Sequence, residues 1–244
     1  MNLRDREYPA SMIAVDARTE SLDTFENHLK EFRELNYTYI PLPQEDKYYN
    51  VKEGLTKSLS DDQWISPEMH LLDVLELLTE QPFLLYAEPD SSYKIINVAD
   101  LNSRGIREML YPPVAQLASV IASRIRDKHP DSEQLIRDMP DGCINAATVG
   151  GWYQDCLNDV EVHIAEHMNL TEIRGVLEHS RPVLSRICGF SDEHGLDEFR
   201  ATRDLRNGVM HANSSLVRDR EDIRELLDVI DDIQSLLDEA AHDG

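Results

Sequence analysis

The 244 residues hold 47 Asp and Glu against 24 Lys and Arg, a formal net charge of −23. That balance leaves no cationic footprint of the kind used to bind nucleic acid by charge alone. No apolar run approaches the roughly 18 residues of a membrane-spanning helix, and the opening MNLRDREYP is too charged for a signal peptide, so a soluble, cytoplasmic protein with no membrane partner is expected.

In chain order, SMIAV at 11–15 predicts a short strand, and Ser21 opens an amphipathic helix on which Leu22, Phe25, Leu29 and Phe32 recur at helical spacing. NYTYIPLP is a second strand closed by its prolines, QEDK a turn and YYNV a third strand. Ser66-Pro67 starts a second helix, with Leu71 or Leu72, Leu75 and Leu78 on one face; PFLLYAEP, DSS and YKIINV come next as strand, turn and strand. The element order repeats. Aligning Pro43 with Pro89 and Asn50 with Asn97 gives offsets of 46 and 47, which places one extra residue in the turn. Each copy ends on two apolar residues, Asn-Val and an acidic residue three places after the Asn, the mark of a duplicated module.

This duplication resembles a tandem pair of CBS modules over about residues 5–110. The resemblance implies β-α-β-β-α repeats at about 8–60 and 61–110, together a CBS pair over 1–110, with an adenosine nucleotide bound between them. Members of the family end each repeat with Gly, two apolar residues, Thr or Ser, two variable residues and Asp; the hydroxyl faces phosphate and the Asp grips the ribose hydroxyls. The matching positions are Asn50 and Glu53 in the first repeat and Asn97 and Asp100 in the second. Both glycines are lost and Asn replaces both hydroxyl residues, while the carboxylate is kept. Read without the resemblance, Asp100 caps a helix formed by LNSRGIREML.

Tyr111-Pro112-Pro113 separates this region from VAQLASVIASRIRD, a connector helix with Leu117, Ile121 and Ile125 on one stripe. The polar PDSEQLIRDMPDG reads as a linker, so that 111–142 is connector and linker. From 143 to 244 the sequence predicts an all-α bundle of four helices: 152–168, 170–188, 195–212 and 219–241. The last carries Ile223, Leu226 or Leu227, Ile230, Ile233 and Leu237 on a continuous face. The fold class expected is therefore α+β.

DLRNGVMHANSSLV places Arg206 and His211 five apart. Eighteen Arg and nine His give about 0.7 such pairs by chance, and Arg124 with His129 and Arg174 with His179 share the spacing. Context separates them. Only Arg206 is succeeded by a polar Asn207, small or apolar residues and then a final amphipathic helix. The string resembles the R-x4-H motif of HEPN domains, helical bundles that include metal-independent ribonucleases acting as dimers. It implies a HEPN-like domain over 143–244, with Arg206, Asn207 and His211 as catalytic residues, RNA as substrate, a homodimer and no catalytic cofactor. A His with a pKa of about 6.5 can take the 2′-hydroxyl proton while an always-charged Arg stabilises the phosphorane, leaving a 2′,3′-cyclic phosphate and a 5′-hydroxyl. Asn213 stands two places after the His, where relatives controlled by nucleotidyl transfer carry Tyr.

HIAEH at 163–167 matches H-x-x-E-H, the pattern by which inverzincin peptidases set two zinc-binding His on one helix face, but a polar helix surface is the simpler reading and no metal site is expected. Cys143, Cys156 and Cys188 form neither a CxxC pair nor an even set, which points to reduced thiols. Only six Lys accompany the eighteen Arg, and the carboxylates are interspersed, a texture resembling proteins of halophilic archaea. In molar salt the Debye length falls to about 3 Å, and repulsion between this chain and a polyanion largely disappears. The residues support two functional readings: a nucleotide-sensing CBS pair controlling a ribonuclease, or a non-enzymatic regulatory or scaffolding protein whose helical half dimerises or recruits a partner.

Overall fold

The computed structural model describes residues 3–179, 202, 205, 209 and 215–242. The protein is mixed α+β, with two three-stranded antiparallel sheets and, among the described residues, seven α-helices. It divides into two compact units: residues 6–106 with 217–224, and residues 1–5 with 107–216 and 225–244.

In the first unit, β2 (Tyr39–Leu42), β3 (Lys47–Asn50) and β4 (Leu55–Ser58) form one sheet in that order. The other sheet has the order β1 (Val15–Asp16), β6 (Tyr93–Ile96), β5 (Leu84–Ala87). Helix α1 (Phe25–Glu34) buries Phe25 and Phe32 beside Ile40, Leu42 and Tyr49. Helix α2 (Leu71–Glu80) buries Leu71, Leu72, Val74, Leu75 and Leu78. It starts four residues after Pro67, because the His70 ring caps it by accepting the Leu72 N–H at 3.1 Å.

Several expectations are corrected here. SMIAV is not a five-residue strand: a 3₁₀ turn occupies Ala10–Met12, and only Val15–Asp16 pair, with Lys94 and Ile95 of β6. Leu22 precedes α1 and is exposed, since Ser21 and Thr24 bond to one another in a turn before the helix. The first repeat lacks a closing helix. After Asn50 a turn ends at Gly54, whose φ of +71° suits glycine, and the chain returns as β4. The second repeat instead passes through a 3₁₀ turn, Val98–Asn102, into helix α3 (Arg104–Lys128).

Register also revises the repeat alignment. Ile40 pairs with Tyr49 and Leu84 with Ile96, so 47 positions separate the second strands but 44 separate the first. The hairpins therefore differ by three residues, and Pro43 and Pro89 are not equivalent. By this register Tyr39 corresponds to Phe83, and their rings touch, with centroids 5.1 Å apart. Tyr48 closes on Phe83 edge-on at 5.0 Å, which builds an aromatic core where the two hairpins meet.

The described residues of the second unit are mainly helical. Pro112 and Pro113 do not break α3, which continues through them although neither can donate an intrahelical bond. Burial of Met109, Leu110, Val114 and Leu117 on either side anchors the helix there. The expected linker contains helix α4 (Ser132–Asp138), capped by the Asp131 carboxylate on the Gln134 N–H and anchored by fully buried Leu135. The helix expected over 152–168 is shifted: α5 spans Ala146–Leu157 and stops before Asp159, whose φ is +57°. Helices α6 (Leu170–His179) and α7 (Arg220–His242) bring Ile173, Val176, Leu177, Ile233 and Leu237 into one core with Leu117, Ile121 and Ile125 of α3. Buried Glu172 ties this packing together by accepting the N–H groups of Asn145 and Asn169 at 2.8 Å each and the Thr148 hydroxyl at 3.0 Å. Among the described residues no helix is long and apolar enough to cross a membrane.

Candidate functional site

Within the first unit, a cleft of about 680 Å³ opens between the two hairpins. Its walls come from Val15, Asp16 and Arg18, from Leu35 to Tyr39 between α1 and β2, from Ile95, Asn97, Val98 and Ala99 at the end of β6, and from Lys52, Arg218 and Arg220. Asn36 adopts a left-handed φ of 58°, which Asn tolerates better than most residues, and turns the chain from α1 toward Tyr37. The turn delivers Tyr37, Thr38 and Tyr39 to the wall.

The charge of this cleft opposes that of the chain. Arg18, Lys52, Arg218 and Arg220 line it, against Asp16 as the acidic lining residue, and Asp16 is itself paired with Lys94 at 2.7 Å. Arg18 lies over the Phe32 ring at 5.1 Å and grips both carboxylate oxygens of Glu31, at 2.6 and 3.3 Å. Arg218 makes a similar pair with Asp222, at 2.9 and 3.2 Å, and this hydrogen bonding holds the Asp222 carboxyl below its ordinary pKa. Lys52 and Arg220 have no carboxylate partner among the described residues.

Asn50 and Asn97 perform one structural task twice. The Asn50 side chain accepts the N–H groups of Lys52 and Glu53, each at 3.1 Å. The Asn97 side chain accepts the Ala99 N–H at 2.8 Å and that of Asp100, and so caps the 3₁₀ turn after it. The repeated motif is thus a repeated backbone cap. The carboxylates diverge. Glu53 pairs with Lys57 of β4 at 2.6 Å, whereas Asp100 accepts the Asn97 N–H at 2.8 Å and completes a capping box. Burial pushes the Asp100 pKa above the usual carboxylate value, opposed by that backbone hydrogen bond. Of the four residues selected from sequence, Asn97 lines the cleft; Asn50, Glu53 and Asp100 do not. Sequence reasoning missed Arg18, Lys52 and Arg220, which share no periodicity or motif.

Arg206, Asn207 and His211 lie outside the described residues. HIAEH does not form a helix face. Ile164–Glu166 is a single 3₁₀ turn capped by His163, whose Nδ1 accepts the Ala165 N–H at 3.2 Å and whose Nε2 donates to the His129 carbonyl at 2.7 Å. Both ring nitrogens are thereby used, and burial lowers the His163 pKa, so the neutral imidazole is a structural cap. His167 instead approaches Asp155 at 3.2 Å. Among the described residues no group of three or more His, Cys, Asp or Glu is gathered for a metal ion.

Comparison with protein-family models, curated proteins and solved structures gives no match to this chain.

Proposed function

We propose that the tandem-hairpin unit is a CBS-type sensor that binds an anionic adenosine nucleotide in the cleft and regulates a HEPN-like, metal-independent ribonuclease in the helical half. The supporting observation is the accumulation of Arg18, Lys52, Arg218 and Arg220 in one cleft between duplicated hairpins of a chain whose net charge is −23. Cations are concentrated where a ligand would be held, in a wall that also includes Tyr37 and Tyr39. The effector half of the reading rests on the sequence Leu205-Arg206-Asn207-Gly208-Val209-Met210-His211.

Calorimetry on the full chain in multimolar KCl should show binding of at least one of AMP, ADP and ATP, and absence of heat with all three at millimolar concentration would overturn the sensor. In the same buffer the wild type should cleave RNA, with a rate that changes on nucleotide addition. His211→Ala should abolish cleavage at an unchanged melting temperature. RNA left intact by the wild type would transfer the assignment to the scaffolding reading.

A further inference from the structure

From the same cleft we infer that the ligand is recognised through a polyphosphate chain held by Lys52 and Arg220, without a carboxylate grip on its ribose. The inference rests on the nucleotide reading and specifies what that cleft selects.

The carboxylates that could serve the ribose are committed elsewhere: Asp100 accepts a backbone N–H within its capping box, and Glu53 is paired with Lys57. Asp16, on the cleft wall, is held by Lys94. Sugar hydroxyls therefore find no unengaged carboxylate among these three, and discrimination shifts to the anionic end of the ligand. Arg18 and Arg218 already hold carboxylates, so they shape the wall and contribute field. Lys52 and Arg220 remain as cations with no carboxylate partner among the described residues. A guanidinium binds phosphate with two parallel N–H donors, while an ammonium acts as a point charge, and two such groups suit successive phosphates better than a single one.

Arg220 adds an independent argument. It is the first residue of the 23-residue helix α7, where the helix macrodipole disfavours a cation. The backbone there is already capped, because Asp219 accepts the N–H groups of Glu221 and Asp222 at 3.0 and 3.1 Å. An Arg with no carboxylate partner among the described residues is electrostatically disfavoured there, yet it is half-buried and lines the cleft. It comes from outside the tandem repeat, so neither repeat alone contains the complete anion site.

The test is competition calorimetry on the full chain, without magnesium, using ATP, AMP, adenosine and inorganic tripolyphosphate. Expected are displacement of ATP by tripolyphosphate, AMP binding at least tenfold weaker than ATP, and no adenosine binding at millimolar concentration. Arg220→Gln and Lys52→Gln should each weaken ATP and tripolyphosphate by the same factor, tenfold or more, with unchanged circular dichroism and melting temperature. Adenosine binding as tightly as ATP, with tripolyphosphate inert, would overturn this inference and leave the nucleotide reading standing. Tripolyphosphate binding without ATP binding would remove the nucleotide reading and keep the anion site. Failure of all four ligands would remove both.

Discussion

The two hairpins begin alike and end differently. In each, a second strand runs into an Asn whose side chain collects the N–H groups two and three residues ahead. In the first, the turn closes at Gly54 and the chain doubles back as β4, which carries the Lys57 that takes Glu53. In the second, Asp100 reaches back to the Asn97 backbone, and the capped turn leads into α3. A carboxylate three residues after the Asn is common to both copies, but its partner depends on whether the chain then turns back as a strand or runs on into a helix. A residue type shared by two similar motifs therefore does not establish a shared contact.

The largest expected effect is at the meeting of the copies. Phe83 is fully buried and packs on its counterpart Tyr39 and on Tyr48. Phe83→Ala should cost about 3–5 kcal/mol through lost burial and the cavity left behind. Denaturant unfolding measures this, and a loss under about 1 kcal/mol would mean that the hairpins are held by something other than this aromatic contact. The capping residues come next. Asn50→Ala and Asn97→Ala should each lose about 1–2 kcal/mol. Only the second should couple to its carboxylate: a double-mutant cycle of Asn97 with Asp100 should give about 0.5 kcal/mol or more, and one of Asn50 with Glu53 close to zero. Equal coupling in both cycles would contradict the divergence of the two carboxylates.

What the sequence made legible were elements with strong local pattern. The apolar stripes of α2 and α7 and the two apolar-turn-apolar hairpins can be read directly, because their periodicity is written within a few turns or strands of chain. Non-local choices were not legible. That Val15 and Asp16 pair with Ile95 and Lys94 depends on contacts some 80 residues apart in sequence. The strand β4 replaced a helix because Gly54 permits a left-handed turn, and a lone Gly is a weak signal. Residues 132–138 read as linker from their polarity, yet the Asp131 cap and a single buried Leu135 suffice for two turns of helix. The cleft was hidden for a related reason: Arg18, Lys52 and Arg220 occupy three distant segments, and only folding collects them.

The smallest effect concerns the capping box and isolates the carboxylate that one copy buries. Burial raises the pKa of Asp100 in the folded protein above the ordinary Asp value of about 3.9. Between those two values the folded chain holds more of this proton than the unfolded chain does. This group's contribution to stability must therefore fall as pH rises through that window and stay lower above it. Asp100→Asn keeps an oxygen able to accept the Asn97 N–H but cannot ionise. The melting temperature of the wild type minus that of the variant should consequently decline as pH rises above the ordinary Asp value of about 3.9. Comparing the two proteins at each pH cancels the titration of the many other carboxylates. Glu53→Gln, at the equivalent position of the first hairpin, should remove an exposed ion pair with Lys57 and shift stability by no more than about 1 kcal/mol. A difference curve for Asp100→Asn that rose with pH would show that hydrogen bonding to the Asn97 N–H outweighs desolvation, and the capping box would then favour the ionised carboxylate.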